Sequence, residues 1–207
     1  MKPRLVAIAG GSASGKTWLA QRLEEQLGTL ATRVSLDDFY RDRTHLTLAE
    51  RKKINFDHPR AIDWGLFGTV LAQIREGRPC PVPRYDFVES NRELEPRLLN
   101  PVPLVLVDGL WPLVSAGLSA HYDLKVFVDC PAEERLARRL ARDTVERAWP
   151  AEVVTRQFWE QVEPMHQRFV EPQRAVADEI LDSPITVTTL QRLADRLKKL
   201  SSEGAQT

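Results

Sequence analysis

Apolar residues along this chain come in two rhythms. Short unbroken runs such as Leu5, Val6, Ala7 and Ile8, or Leu104 through Val107, are bounded by polar or turn residues; between them apolar positions recur every three or four residues. The first pattern belongs to strands buried on both faces, as in a parallel sheet, and the second to amphipathic helices packed against one. The runs predict strands over 4–9, 33–36, 104–107, 124–129 and 177–181. The periodic segments predict helices over 16–28, where Leu19, Leu23 and Leu27 are spaced by four, and over 60–77, where Ile62, Leu66, Val70, Leu71 and Ile74 form a stripe that Gly77 ends. Further helices are predicted over 132–147, 151–169 and 189–200. Pro131 stands where a first helical turn tolerates it, and the segment after it carries acids early and arginines late. This alternation predicts an α/β fold of three layers, α/β/α, around a mainly parallel five-stranded sheet.

Between the second and third predicted strands lie more than sixty residues, with Pro79, Pro81, Pro83, Pro96, Pro101 and Pro103 among them. Loops of that length inside one domain are usually functional. The stretches PVPRYDFVE and ELEPRLL around a polar turn predict an irregular hairpin over the carboxyl edge of the sheet, where ligands of open α/β sheets bind. The whole chain, 1–207, is therefore read as a single domain with a substrate-binding insertion over 41–102 and a helical lid over about 138–155.

Between the first strand and the first helix stands GGSASGKT, and Gly10, Gly15, Lys16 and Thr17 fit GxxxxGK[ST]. Glycines let the backbone curl until successive N–H groups converge on one anion, and the helix start adds its positive dipole end. Gly10, Gly11, Ser12, Ala13, Ser14, Gly15, Lys16 and Thr17 thus form a candidate phosphate cradle for a nucleoside triphosphate. Lys16 reaches the outer phosphates, and the Thr17 hydroxyl is placed to ligate their magnesium.

Two acids complete the pattern. Asp108 follows the apolar run LVLV and is the candidate second magnesium anchor; Asp37, in SLDDFY, lies at the end of another strand, placed to accept a proton from an attacking hydroxyl. That combination predicts a kinase. Arg135, Arg138, Arg139 and Arg142 follow one another at offsets that share a helix face, with Arg147 just beyond; Arg142 and Arg147 are the candidates for neutralising a transferring phosphoryl group. Tyr40, Phe56, Tyr85 and Phe87 lie near Asp37, Asp57 and Asp86, a mixture suited to stacking a planar base while hydrogen-bonding sugar hydroxyls.

Composition narrows the partners. The chain carries 29 basic and 29 acidic residues, which leaves no net field for nucleic acid or anionic lipid. Cys80 and Cys130 are the two cysteines, too far apart for a zinc pair, and neither a long apolar leader nor a membrane-length apolar run is present, so a cytoplasmic location without membrane or nucleic-acid partners is expected. NKxD and DxxG are both missing, which argues against a GTPase of the common kind.

Several stretches together resemble the uridine kinase family, within the group that includes phosphoribulokinases and nicotinamide riboside kinases: AGGSASGKT, SLDDFY, INFDHPRAID, VPRYDF, LVLVDG, LKVFVDCPAEERLARRLARDTVER and VEPMHQRFVEPQRAVADEI. The resemblance implies a P-loop NTPase fold and transfer of the ATP γ-phosphate to the 5′-hydroxyl of a nucleoside, uridine or cytidine. It implies Asp37 as general base, Tyr40, Phe56, Asp57, Tyr85 and Phe87 around the nucleoside, Arg139 and Gln157 in contact with it, Arg142 and Arg147 on phosphates, and Thr17 with Asp108 on Mg2+. It also implies that a homo-oligomer is compatible with the chain. Three departures bear on the substrate or donor: Ser90 where the family has a histidine after YDF, Trp149 where it has an arginine, and DSPITV in place of a glycine-rich stretch after the last strand. Asp108 itself stands where many relatives carry glutamate.

Overall fold

The computed structural model describes residues 2–146 and 149–203. Its strands are β1 (Arg4–Gly10), β2 (Ala31–Ser35), β3 (Cys80–Val82), β4 (Tyr85–Asp86), β5 (Asn91–Arg92), β6 (Arg97–Leu99), β7 (Leu104–Gly109), β8 (Leu124–Asp129) and β9 (Glu179–Asp182). Its α-helices are α1 (Lys16–Leu27), α2 (Leu48–Arg51), α3 (Trp64–Arg75), α4 (Ala116–Ser119), α5 (Ala132–Glu146), α6 (Ala151–Gln157), α7 (Glu163–Met165) and α8 (Val187–Glu203). The long apolar runs all pair in one parallel sheet of order β2-β7-β1-β8-β9. That is the predicted five-stranded sheet.

Alternation along the central strands feeds two cores. Val6, Ile8, Leu106 and Val126 pack with Leu19 and Leu23 of α1 and Leu193 and Leu197 of α8. Leu5, Ala7, Val105, Val107 and Phe127 face the other way, onto Phe67, Val70, Leu71 and Ile74 of α3 and onto Cys80, Val82, Tyr85 and Leu99 of the insertion. Each such side chain contributes about 1.5–3 kcal/mol on full burial, so the insertion is welded to the sheet rather than draped over it.

Several boundaries differ from the pattern-based expectation. The predicted strand 33–36 is Ala31–Ser35, and Leu36–Phe39 instead forms a 3-10 turn, leaving Asp37 two residues beyond the strand. Asp108 lies inside β7 rather than after it. The predicted helix 60–77 starts at Trp64, because the Asp63 carboxylate accepts from Leu66 N at 3.1 Å and caps it there. The irregular hairpin resolves into two antiparallel ladders, β3 with β6 and β4 with β5, separated where Pro83 has no N–H to donate. The helix expected over 151–169 runs on to Val176 with π-helical turns at Phe158–Val162 and His166–Val170 around α7. Pro164 cannot donate to the preceding turn and its ring crowds the carbonyl there, so the helix widens on either side.

One close approach positions the site. A Cβ at Gly109 would lie 2.4 Å from Leu36 Cβ, so only glycine lets the Leu36–Phe39 turn sit against the end of β7. Gly109→Ala is expected to lower the unfolding free energy by about 1–3 kcal/mol, read as a fall in the urea midpoint; an unchanged midpoint would refute this packing.

Candidate active site

The segment joining β1 to α1 folds as a backbone cradle. Ser14 N donates to Gly11 O at 3.1 Å and Leu19 N to Gly15 O at 2.9 Å, while Ala13 (φ 63°) and Gly15 (φ 98°) take left-handed conformations. Such backbone strain in a non-glycine residue clusters at ligand-binding turns. Lys16 is buried and its Nζ donates to Gly11 O at 3.2 Å, arching back over the loop. Burial lowers its pKa, against the pull of Asp37, Asp108 and Asp57, which raise it, and with Arg142 lowering it further. The Ser14 hydroxyl is buried and has no hydrogen-bond partner among the described residues. An orphaned donor in a curled loop fits a phosphate oxygen.

At the carboxyl end of the sheet, the registers set Ser35 and Ile8 on either side of Asp108. Thr17 Oγ1 donates to Asp108 Oδ2 at 2.9 Å, and Arg33 Nε donates to Oδ1 at 2.6 Å. Hydroxyl and carboxylate are hard oxygen donors of the kind magnesium takes alongside substrate phosphates, so these residues fit the ion the family implies. Asp37 has its pKa raised by burial; Lys16 and Arg33 oppose that rise, and Asp108 and Asp57 add to it. Asp38 beside it is pushed up to about 6 by burial, although Tyr85 N donates to its Oδ1 at 3.3 Å.

The insertion supplies an aromatic box. Tyr40 meets Phe56 at 5.1 Å and Tyr85 at 5.0 Å between ring centroids, and Tyr85 meets Phe87 at 5.3 Å, all edge to face. Tyr40 Oη donates to Phe56 O at 3.1 Å, but the buried Tyr85 hydroxyl has no hydrogen-bond partner among the described residues, and burial pushes its pKa up to about 12. A buried phenol in that state fits a polar group of a ligand. Phe87 is exposed at the rim.

The arginines of α5 divide. Arg139 Nη1 donates to Ser12 Oγ and its Nη2 to Gln157 Oε1, both at 3.0 Å, so two predicted contacts are joined to each other and to the loop. Arg138, absent from the predicted set, donates to Ser14 O at 3.3 Å and Ser183 Oγ at 2.7 Å. Arg135 turns away to Glu163, its guanidinium 5.5 Å from the Phe158 ring centroid. Arg142 pairs with Asp143 at 2.8 Å and acts on Lys16 electrostatically. Arg147 lies outside the described residues. Ser90 occupies a left-handed position (φ 49°) in the turn joining β4 and β5, and Trp149 N donates to Asp143 O at 3.1 Å.

Sequence reasoning missed Arg33, Asp38, Arg138 as a loop contact, and His166. A Cβ on Gly11 would lie 2.8 Å from His166 Nδ1, and burial together with Arg135 pushes that imidazole down to about 4. His166 opens the second π turn, and residue spacing gives no sign of its approach to the loop.

A family model described as Phosphoribulokinase / Uridine kinase family matches residues 5–190. The chain belongs to that family. Family membership makes it a phosphotransferase. Among relatives, a uridine kinase of Deinococcus deserti is 38% identical over 182 residues, 87% of this chain and 88% of its own length. A uridine kinase of Staphylococcus carnosus is 39% identical over 178 residues, 86% of each chain. The phosphoribulokinase from Rhodobacter spheroides shares the fold with a TM-score of 0.68 at 17% identity, over 87% of this chain and 70% of that one. No helix among the described residues is long and apolar enough to cross a membrane.

Proposed function

We propose that the chain transfers the γ-phosphate of ATP to the 5′-hydroxyl of a nucleoside, with uridine and cytidine as acceptors. One observation carries this reading: Asp37, a half-buried acid in the turn after β2, acts electrostatically on Lys16 and Asp57, and its neighbour Asp38 accepts from the backbone of the aromatic box. A hydroxyl held by the box and by Asp57 would meet Asp37 on one side and a phosphate above Lys16 on the other. Asp37 takes the hydroxyl proton as the new O–P bond forms, the bond between γ-phosphorus and the bridging oxygen breaks, and ADP leaves.

The remaining roles follow from position. The backbone of 10–17 holds the polyphosphate, Thr17 and Asp108 would hold Mg2+, and Arg139 with Gln157 orients the nucleoside beside Ser12. Magnesium bound there supplies charge neutralisation for the transferring group. Arg142, beside Asp143 on α5, would meet phosphates, as the family resemblance implies for Arg147 as well, from a lid at about 138–155, and the insertion 41–102 would supply the acceptor pocket within one kinase domain. Curated relatives named uridine kinase support the acceptor class.

Ser90 and Trp149 remove two polar base contacts that the resemblance implies, and lost polar partners weaken discrimination more than lost apolar fit does. A kinase on the same scaffold for nicotinamide riboside or a sugar phosphate is therefore the competing reading. A substrate panel read as ADP release decides between them. Release with uridine or cytidine above all other acceptors is expected; silence with both, and turnover of another metabolite, overturns the pyrimidine assignment.

A further inference from the structure

Asp108 is 1% exposed, and both its oxygens are engaged. One accepts from Thr17, the other from Arg33 at 2.6 Å. A bare carboxylate in that position would be costly to bury, and the guanidinium of Arg33 offsets part of that cost. The arginine is built in: it belongs to β2, two residues before Ser35, which pairs in register with Asp108, so the two share a sheet face. Its own N–H donates to Glu24 Oε1 at 2.7 Å, and its carbonyl accepts from Arg97.

We propose that Arg33 is a resident counter-ion of the magnesium site, cancelling the charge of Asp108 so that a divalent cation enters together with polyphosphate and not alone. The inference rests on the reading of Thr17 and Asp108 as the metal-holding pair. Around that pair, Arg33 balances Asp108 directly, while Lys16 counters part of the charge of Asp37, Asp108 and Asp57, so the carboxylate that would meet a free dication is already paired. Among the described residues no group of three or more His, Cys, Asp or Glu is arranged to hold a metal. Magnesium sheds water reluctantly and binds through one or two carboxylates plus substrate phosphates. The triphosphate brings the negative charge and the further oxygens that the pair lacks.

The test reads free metal, without turnover. Mn2+ is titrated against the full chain without nucleotide, followed by electron paramagnetic resonance, for wild type, Arg33→Gln, Arg33→Lys and Arg33→Gln with Asp108→Asn. Glutamine keeps an N–H donor for Asp108 but removes the charge, and circular dichroism checks that the variant is folded. Arg33→Gln is expected to bind Mn2+ at least about tenfold more tightly than wild type, Arg33→Lys like wild type, and the double variant to lose the gain. No gain in folded Arg33→Gln, or a gain that survives Asp108→Asn, overturns the proposal. Wild type alone provides a second test: saturation by free Mn2+ at roughly micromolar concentration overturns it whatever the variants do. Calorimetry of wild type with MgATP separates the two readings. Absence of heat there rejects the kinase assignment, whereas binding of MgATP without the Arg33→Gln gain rejects the counter-ion alone.

Discussion

Asp37→Asn is expected to lower kcat by about a hundredfold to ten-thousandfold while leaving triphosphate affinity within about threefold of wild type. Asparagine keeps the size and hydrogen-bonding capacity of the side chain but cannot take a proton. The backbone cradle, Lys16 and the Thr17–Asp108 pair are untouched, so ground-state binding of the donor persists. Parallel measurement of kcat and of ATP affinity by calorimetry checks the split. Undiminished turnover would remove Asp37 from the chemistry, and a collapse of ATP affinity would make it a structural part of the cradle instead.

The same residue ties activity and stability to pH with opposite signs. Burial raises its pKa, so the folded chain holds the proton more tightly than the unfolded chain does. Its contribution to stability is therefore fully present below the ordinary carboxylate pKa and is lost as pH rises through the raised value. Turnover needs the ionised form and falls as pH drops through that value, placing the acid limb of kcat/KM, which reports the free enzyme, above the ordinary carboxylate range. Asp37→Asn should abolish that limb and melt no lower than wild type at neutral pH. A base kept ionised where its surroundings disfavour the charge is maintained at the expense of stability.

Which features the amino-acid pattern reveals follows from what period and spacing encode. Strands such as Leu104–Gly109 are legible because burial on both faces leaves an unbroken apolar run, and the cradle is legible because its glycines and Lys16 are consecutive. The joining of Arg33 to Asp108 is not, because it depends on β2 and β7 being neighbours, a matter of sheet order rather than local pattern. A lone charge within ATRVS marks Arg33 as unusual, and only tertiary pairing says what it serves. The aromatic box behaves similarly: Tyr40 and Tyr85 stand forty-five positions apart and meet because the insertion packs into the same core as α3. Helical period likewise puts the α5 arginines on one side, yet reach sorts them, with Arg138 and Arg139 on the loop and Arg135 held by Glu163.

Lys16→Ala carries the other large expected effect, a fall in kcat/KM for ATP of about a hundredfold to a thousandfold, the scale seen when one preorganised donor is removed from a developing charge. The magnitude follows from placement. Lys16 is 8% exposed and held at Gly11 O, so its charge acts through little water and needs no reorganisation when phosphate arrives. Its loss also reaches the proposed base. Lys16 is the largest influence lowering the pKa of Asp37 against burial, so the alanine variant leaves that carboxyl harder to ionise. The acid limb of residual activity should therefore move to higher pH than in wild type, a shift that a mere loss of binding would not produce. Lys16→Met, which keeps most of the aliphatic stem, should show the same limb and a similar loss while preserving the packing beneath the loop. Retention of kcat/KM within about threefold would show that the ammonium does not grip the outer phosphates, and an acid limb that stays in place would show that it does not tune the base.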